Sequence, residues 1–526
     1  MIQRLTFPAL AALCLGGSFG CSDSSLMMER NDGDYSDSGS ESEAPYDTGH
    51  MDGSDSEAED DFLALEPAQT DVFVFIANPG RGTVTRVNVF TQEVRTTQVG
   101  NNPSTVTVAP DYSNAVVFNK GSDSVSIIDS LSLDVLEVGV RDNFNRMKMS
   151  PQGSWVGLFH DKRAEEDGDP VEEGIQSFNE VSFVSVPDGV HHAMAVGFNP
   201  REIQFTKDDT LAVVVSDEAV ALVDLTSEKL IPRIIDITMG ATDPPPAEEV
   251  VINPTGTYAF VRQFGATDLL VVDLATESIE TVNIGTNPTD LDLSPDGSIA
   301  VVVSRSSQEL YVLDADAPLE TAPQVLSLPE SLYLGSLLFD PVGEQALIYT
   351  TASNTPYYAV WDLENEITLR PLAKPVRSMS ITPTGESVMV IHTKEDAPDA
   401  DPNGYFYDAW ALSLIDLGDF RQNTLKLPAE TTGYANSTNG IHGYFIMDGV
   451  KLLAQVDYDT LLYEQINLKS DPVYVGVLPD LDPEDGDEPP AWASQEHELG
   501  RLTFFDPDDG SVETITGFEL NSRIED

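Results

Sequence analysis

The chemistry this chain could do rests on seven histidines, two cysteines and a large surplus of carboxylates. Cys14 and Cys21 both lie close to the N-terminus, so thiol catalysis and a disulfide framework are closed to the rest of the chain. The histidines are His50, His160, His191, His192, His392, His442 and His497. The pair His191-His192 falls on a probable strand, where consecutive rings point to opposite faces. Asp399-Ala-Asp401-Pro-Asn403-Gly404 opens like a calcium loop, with alternate oxygens and a glycine bend to wrap a hard cation. An EF-hand would place its bidentate glutamate where Trp410 stands, which leaves Asp408 as the substitute ligand. Ca²⁺ is therefore the one cofactor these residues could take, through Asp399, Asp401, Asn403 and Asp408. Residues 69–526 hold neither the G-x-S-x-G elbow that exposes a nucleophilic serine nor a glycine-rich phosphate loop. A non-enzymatic protein is expected.

Charge narrows the partners. Asp and Glu number 89 against 27 Lys and Arg, a formal net charge of −62. Such a surface repels phosphate backbones and anionic headgroups, so nucleic acid is excluded as a partner. It suits an envelope protein with a basic face, a glycan or Ca²⁺. A monomer is expected.

Residues 1–20 read as a signal peptide: Arg4 precedes an apolar run over 5–15 that dissolves into Gly16, Gly17 and Ser18. The run is too short to span a bilayer. Ser18-Phe19-Gly20-Cys21 resembles a bacterial lipobox, which implies lipidation of Cys21. Ser22 follows it where some lipoproteins carry a retaining aspartate, and the resemblance then implies the outer membrane or cell surface. Residues 21–68 are acidic and polar, with Arg30 as the lone basic residue, and cannot bury enough surface to offset chain entropy. They are expected to be a disordered tether.

Residues 69–526 alternate short apolar strands with turns. The clearest copy, 290–314, holds an alternating strand (A), a Pro-Asp-Gly turn, an apolar strand (B), a polar link and a strand ending in aspartate (C). A–B turns recur at Pro110-Asp111, Pro151-Gln152-Gly153, Lys207-Asp208-Asp209, Pro254-Thr255-Gly256, Pro295-Asp296-Gly297, Pro341-Val342-Gly343 and Pro383-Thr384-Gly385, where proline presets φ and glycine supplies a positive one. Strand-C endings recur at Asn88, Asp129, Ser185, Asp224, Asp273, Asp314, Asp362, Asp416, Asp457 and Asp506. Ten markers at this spacing predict an all-β fold, a single β-propeller of four-stranded blades, with a smaller ring of seven or more still open because copies beyond residue 431 are degenerate. The first copy starts at strand B (72–78), and the tail at 517–524 parallels the lead-in at 100–106. The C-terminal strand is therefore expected to fill the missing inner place of blade one and close the ring.

These copies resemble the YVTN-type β-propeller repeat shared by surface-layer and lactonase-like propellers, most closely over 100–129, 253–273 and 294–314. The resemblance implies a cell-envelope propeller. It also implies two alternatives to a binding scaffold. One is a structural surface-layer component; the other is a lactonase-like hydrolase whose channel mouth would use arginines such as Arg201, Arg262 and Arg305.

Long acidic insertions at 160–178, 392–407 and 480–500 are read as B–C links, so all three would crown one face. His160, Asp161, His392, Asp482, Asp485 and His497 mark that binding face. Copies three and eight of a ten-membered ring are nearly opposite, so His160 and His392 are not expected to share a metal ion.

Overall fold

The alternating apolar segments fold into ten antiparallel sheets arranged as a β-propeller, in a computed structural model. It describes residues 68–525 except 163–177, 243, 264, 330, 395–403, 461, 481–487 and 523. Cys21, the signal peptide and nearly all of the tether lie outside the described residues, as do Asp399, Asp401, Asn403, Asp482 and Asp485.

The innermost strands of blades two to ten are Pro103–Val108, Arg146–Met149, Pro200–Phe205, Ala247–Ile252, Pro288–Leu293, Ser336–Phe339, Ser378–Ile381, Thr431–Asn436 and Pro472–Val477. Blades two to nine are four-stranded, and each runs in sequence order from the axis outward. Blades bury both faces by stacking. Each apolar cluster draws on successive blades, as Val213, Val215 and Leu222 of blade four meet Val250, Val261 and Val272 of blade five. The ring closes through one cluster that joins Trp492 and Phe504 of blade ten, Val74 and Phe75 of blade one, and Val106 and Val117 of blade two. Full burial of each such side chain contributes roughly 1.5–3 kcal/mol.

All seven A–B turns lie where expected. Glycines 153, 256, 297, 343 and 385 take φ between 65° and 76°, while Tyr112 and Asp209 hold the same left-handed place in blades two and four. Neighbouring turns also touch. A Cβ on Gly297 would come within 2.0 Å of Pro254 in the preceding turn, so this position needs glycine twice over. The strand-C aspartates cap the C–D turn: the Asp129 carboxylate accepts the backbone N–H groups of Leu131 and Ser132 at 3.0 and 2.7 Å, and Asp273 those of Ala275 and Thr276 at 2.9 and 2.8 Å. These bonds hold both carboxyls below the usual range, which explains an acid there without assigning it a function.

Two expectations are corrected. The C-terminal segment seals the ring, but it does not fill the inner place of blade one. Ile524–Glu525 instead pairs with Val512–Thr516 as a fifth, outermost strand of blade ten. The short 3-10 turn Phe518–Leu520 packs on the outer strands of blade one, where the Phe518 carbonyl accepts the Thr96 hydroxyl at 3.2 Å and Arg81 pairs with Glu519 at 2.8 Å. Among the described residues, the inner lane of blade one holds only the Gln69–Val74 bridge. The seam is thus clamped from outside.

The third insertion is also misplaced in the sequence reading. Ala491–Gln495 is a fully buried strand B, so the insertion of blade ten spans 478–490 and links strands A and B. It leaves the ring at the end opposite the insertions of blades three and eight. Only those two share a face.

Candidate functional site

The B–C insertions of blades three and eight rise from roots that the fold grips at both ends. In blade eight the root is organised by Lys374, a fully buried residue in the link before strand Ser378–Ile381. Its ammonium donates to the carbonyl of Thr393, on the outgoing side, and to those of Tyr407 and Ala409, at 3.3 and 2.6 Å, on the returning side. One cation therefore ties both ends of the insertion to the incoming link. In blade three Asn145 exchanges two hydrogen bonds with the Asp161 backbone, at 2.7 and 2.8 Å. Lys162 lies over Phe178 at 4.7 Å and over Phe198 at 4.8 Å, and His160 meets Phe178 edge-on at 5.1 Å. Residues 162 and 178, which flank the insertion, are thus drawn together.

This geometry corrects the roles read for three residues. His160, Asp161 and His392 are buried, so they present no surface to a partner. His392 ends its strand B and His160 directly follows its own, and both bond back to the link that enters the blade: His160 Nδ1 to the Asn143 carbonyl at 2.8 Å, and His392 Nδ1 to that of Pro375 at 2.7 Å. Gln263 fills the same place in blade five and donates to the Pro245 carbonyl at 2.8 Å. The sequence signal was the end of strand B, whose last or next residue can hydrogen-bond in most copies: Asn78, Asn119, Ser216, Gln263, Ser304, Thr350 and Gln495 besides the two histidines. The remaining histidines find separate partners, His191 with Ser182 at 2.9 Å and His192 beside the Trp155 ring. His497 is half-buried in the B–C turn of blade ten, its Nδ1 accepting the Leu499 N–H at 3.1 Å. Asp408 is exposed beside Lys426, 3.4 Å away.

Burial pulls the His392 imidazole down to about 4, with Lys374 adding to the effect and the Pro375 bond opposing it. The ring is neutral at physiological pH: Nδ1–H donates to Pro375, and Nε2 accepts the Ser413 hydroxyl at 2.8 Å. The unfolded value is 6.5, so the unfolded chain binds this proton first as pH falls. The stabilisation is complete above pH 6.5 and is lost between there and about 4. The expected loss is about 3 kcal/mol, read from urea unfolding across that window. A stability profile in His392→Asn that keeps the same slope would contradict this assignment.

The inner strands build the channel wall. In six blades the register slips after the first inner residue, at Pro103, Pro200, Ala247, Pro288, Thr431 and Pro472. A bulge of this kind re-aims one side chain per blade at the loop-bearing end of the strand. Blades three to five use the wall for ion pairs. Lys148 meets Glu202 at 3.5 Å, Arg201 meets Asp217 at 2.6 Å, and Arg262 lies between Glu249 and Glu248 at 2.8 and 3.0 Å. Burial lowers the Arg262 guanidinium to about 10 against the pull of Asp290. Arg201 and Arg262 are therefore committed to internal carboxylates, and Arg305 is buried.

Sequence reasoning missed one contact altogether. The insertion of blade ten folds onto blade nine, where His442 Nδ1 lies 2.7 and 2.5 Å from the two Glu488 oxygens and Thr438 accepts the Asp480 N–H at 2.9 Å. Glu488 in turn donates its backbone N–H to Asp508 at 3.2 Å. Residues 442 and 488 belong to different blades, so spacing in the chain carried no signal of it.

No known family profile matches the chain, and no curated protein matches it in sequence. Among solved structures it is similar to a crystal structure of the eukaryotic initiation factor, at 13% identity and a TM-score of 0.52, over 76% of this chain and 97% of that one. It is also similar to dihydro-heme d1 dehydrogenase NirN in complex with DHE (14% identity, TM-score 0.44, 78% and 77% covered) and to Kuenenia stuttgartiensis hydrazine synthase (17%, 0.31, 62% and 99%). The first likeness bears on the fold alone.

Proposed function

We propose that this chain is an exported, lipid-anchored cell-envelope propeller that acts as a non-enzymatic binding scaffold. The anchor would be Cys21, and the acidic segment after it a tether. The observation that carries the reading is the two-ended grip on the insertions of blades three and eight, by Lys374 in one and by Asn145, His160 and Lys162 in the other. Loops held on rigid roots are how a scaffold presents contact residues. Both insertions are acidic (KRAEEDGDPVEEG from residue 162 and KEDAPDADPNG from residue 394), so they suit a basic envelope protein, a glycan bridged by cations, or Ca²⁺ itself. The commitment of Arg201 and Arg262 to internal carboxylates weighs against a hydrolytic mouth.

The test compares two soluble forms starting at Ser22, one with full loops and one with residues 163–177 and 395–403 replaced by short Gly-Ser links. Both are checked by thermal melting and then used to capture partners from envelope extract. Capture by the full-loop form alone, weakened by salt, is the expected result. Equal capture by both would move the site off this face, and capture by neither would overturn the scaffold reading. Calcium titration of the full-loop form reports whether the 399–408 segment binds the ion.

A further inference from the structure

The loop-bearing end of the ring carries a recess of about 440 Å³ beside the insertion root of blade three. Three links of that end enclose it: the link into blade four (196–199), its B–C turn (217–218) and the link on to blade five (237–246). These walls are tied to one another. The Phe198 carbonyl accepts the Asp217 N–H at 3.1 Å, and the Glu218 carbonyl accepts that of Ile237 at 3.1 Å. Asp217 is held in turn by Arg201 at 2.6 Å and by the Asn199 amide at 3.0 Å. Gly197 takes a φ of 132°, and a Cβ there would come within 2.8 Å of Ser216, so the link lies directly against the B–C hairpin.

The recess joins aromatic and acidic surface. Phe198 is 51% exposed and Ile234 52%, and both line it together with Glu218 and Asp236. The Phe198 ring already serves a cation, the Lys162 ammonium lying 4.8 Å from its centroid. That contact is electrostatic, the cation meeting the negative face of the ring. Asp236 accepts the Thr238 N–H at 2.8 Å. Bonds from the Thr238 hydroxyl and N–H hold the Asp236 carboxyl below the usual range, so it is charged at neutral pH.

These groups select a cation with a flat, weakly hydrated face. An anion would meet two carboxylates within the field of a chain carrying −62. A lysine ammonium is strongly hydrated and gives up more water to lie against Phe198 and Ile234. A guanidinium stacks on an aromatic ring and pairs with carboxylates through its fixed fork of N–H groups. We propose that this recess is a docking site for an arginine side chain of a basic protein partner. Resting on the scaffold reading, the site gives that partner a rigid contact point beside the insertion of blade three.

The probe is the capped peptide acetyl-Gly-Gly-Arg-Gly-Gly-amide, titrated by saturation-transfer NMR into the soluble form that starts at Ser22. Saturable binding is expected. The citrulline peptide, which keeps the shape and loses the charge, should bind about fivefold more weakly, and the lysine peptide about threefold. Glu218→Gln with Asp236→Asn should weaken the arginine peptide by about fivefold, and Phe198→Ala by about twofold to fivefold. A control, Glu320→Gln with Glu344→Gln, removes the same charge from exposed positions at the opposite end of the ring. It should change the affinity by less than about twofold. Melting temperatures establish that all three variants fold. Equal affinity for the arginine peptide and either relative, or equal effects of the two double variants, would overturn the assignment. Capture from envelope extract is a separate readout. Failed capture with the peptide results intact sinks the scaffold reading and leaves the recess an arginine site, whereas full-loop capture without peptide binding sinks the site alone.

Discussion

Lys374→Met is expected to lower folding stability by about 3–5 kcal/mol, the scale for removing one partner from a buried ionic arrangement. The side chain is fully buried, and its ammonium donates to the Thr393, Tyr407 and Ala409 carbonyls. Methionine matches its length and leaves those acceptors without a donor, each costing about 1–3 kcal/mol if it stays dry. Part of that is recovered as the insertion root opens to water. The substitution should therefore also speed proteolytic cleavage between residues 393 and 409, while the insertion of blade three keeps its wild-type rate. Urea unfolding gives the first quantity and limited proteolysis the second. A loss below about 1 kcal/mol would show that the carbonyl cage is already hydrated.

Arg262→Ala is expected to cost a similar amount, about 3–5 kcal/mol at neutral pH. The guanidinium is 2% exposed and bridges Glu248 and Glu249 while also donating to the Pro288 carbonyl at 3.2 Å. Alanine leaves two adjacent carboxylates in the inner wall with Asp290 nearby and no compensating charge. Their mutual repulsion is relieved when one takes up a proton. The deficit relative to wild type should therefore shrink as pH falls into the carboxylate range. Chemical unfolding of both proteins at pH 7 and pH 5 reads this out. A deficit that stays constant between them would assign the loss to packing instead of charge.

Much of the architecture was legible in the chain because its signals are local. Pro-x-Gly turns, the aspartate that caps most C–D turns, and the length of the repeat are set by a few neighbouring residues, and these count ten copies while leaving a smaller ring open. The strand Ala491–Gln495 escaped notice because both of its faces are buried. A sequence of small residues around Trp492 then shows no alternation, and the insertion before it was assigned to the wrong end of the ring. The histidines at the loop corners invited a surface role. Only their neighbours reveal His160 and His392 as buried latches, since an imidazole nitrogen and the Gln263 amide can each bond to the carbonyl of the link that enters the blade.

Taken alone, the sequence determined the repeat unit, its spacing and the acidity of its loops, all of which depend on residue type and short spacing. The tertiary structure decided what lies far apart in the chain: the outer clamp of Phe518–Leu520 and Ile524–Glu525, the His442–Glu488 contact and the cage around Lys374. Partners in such contacts are chosen by burial and by satisfaction of polar groups across blades, and a linear pattern does not encode which edge will be left to pair.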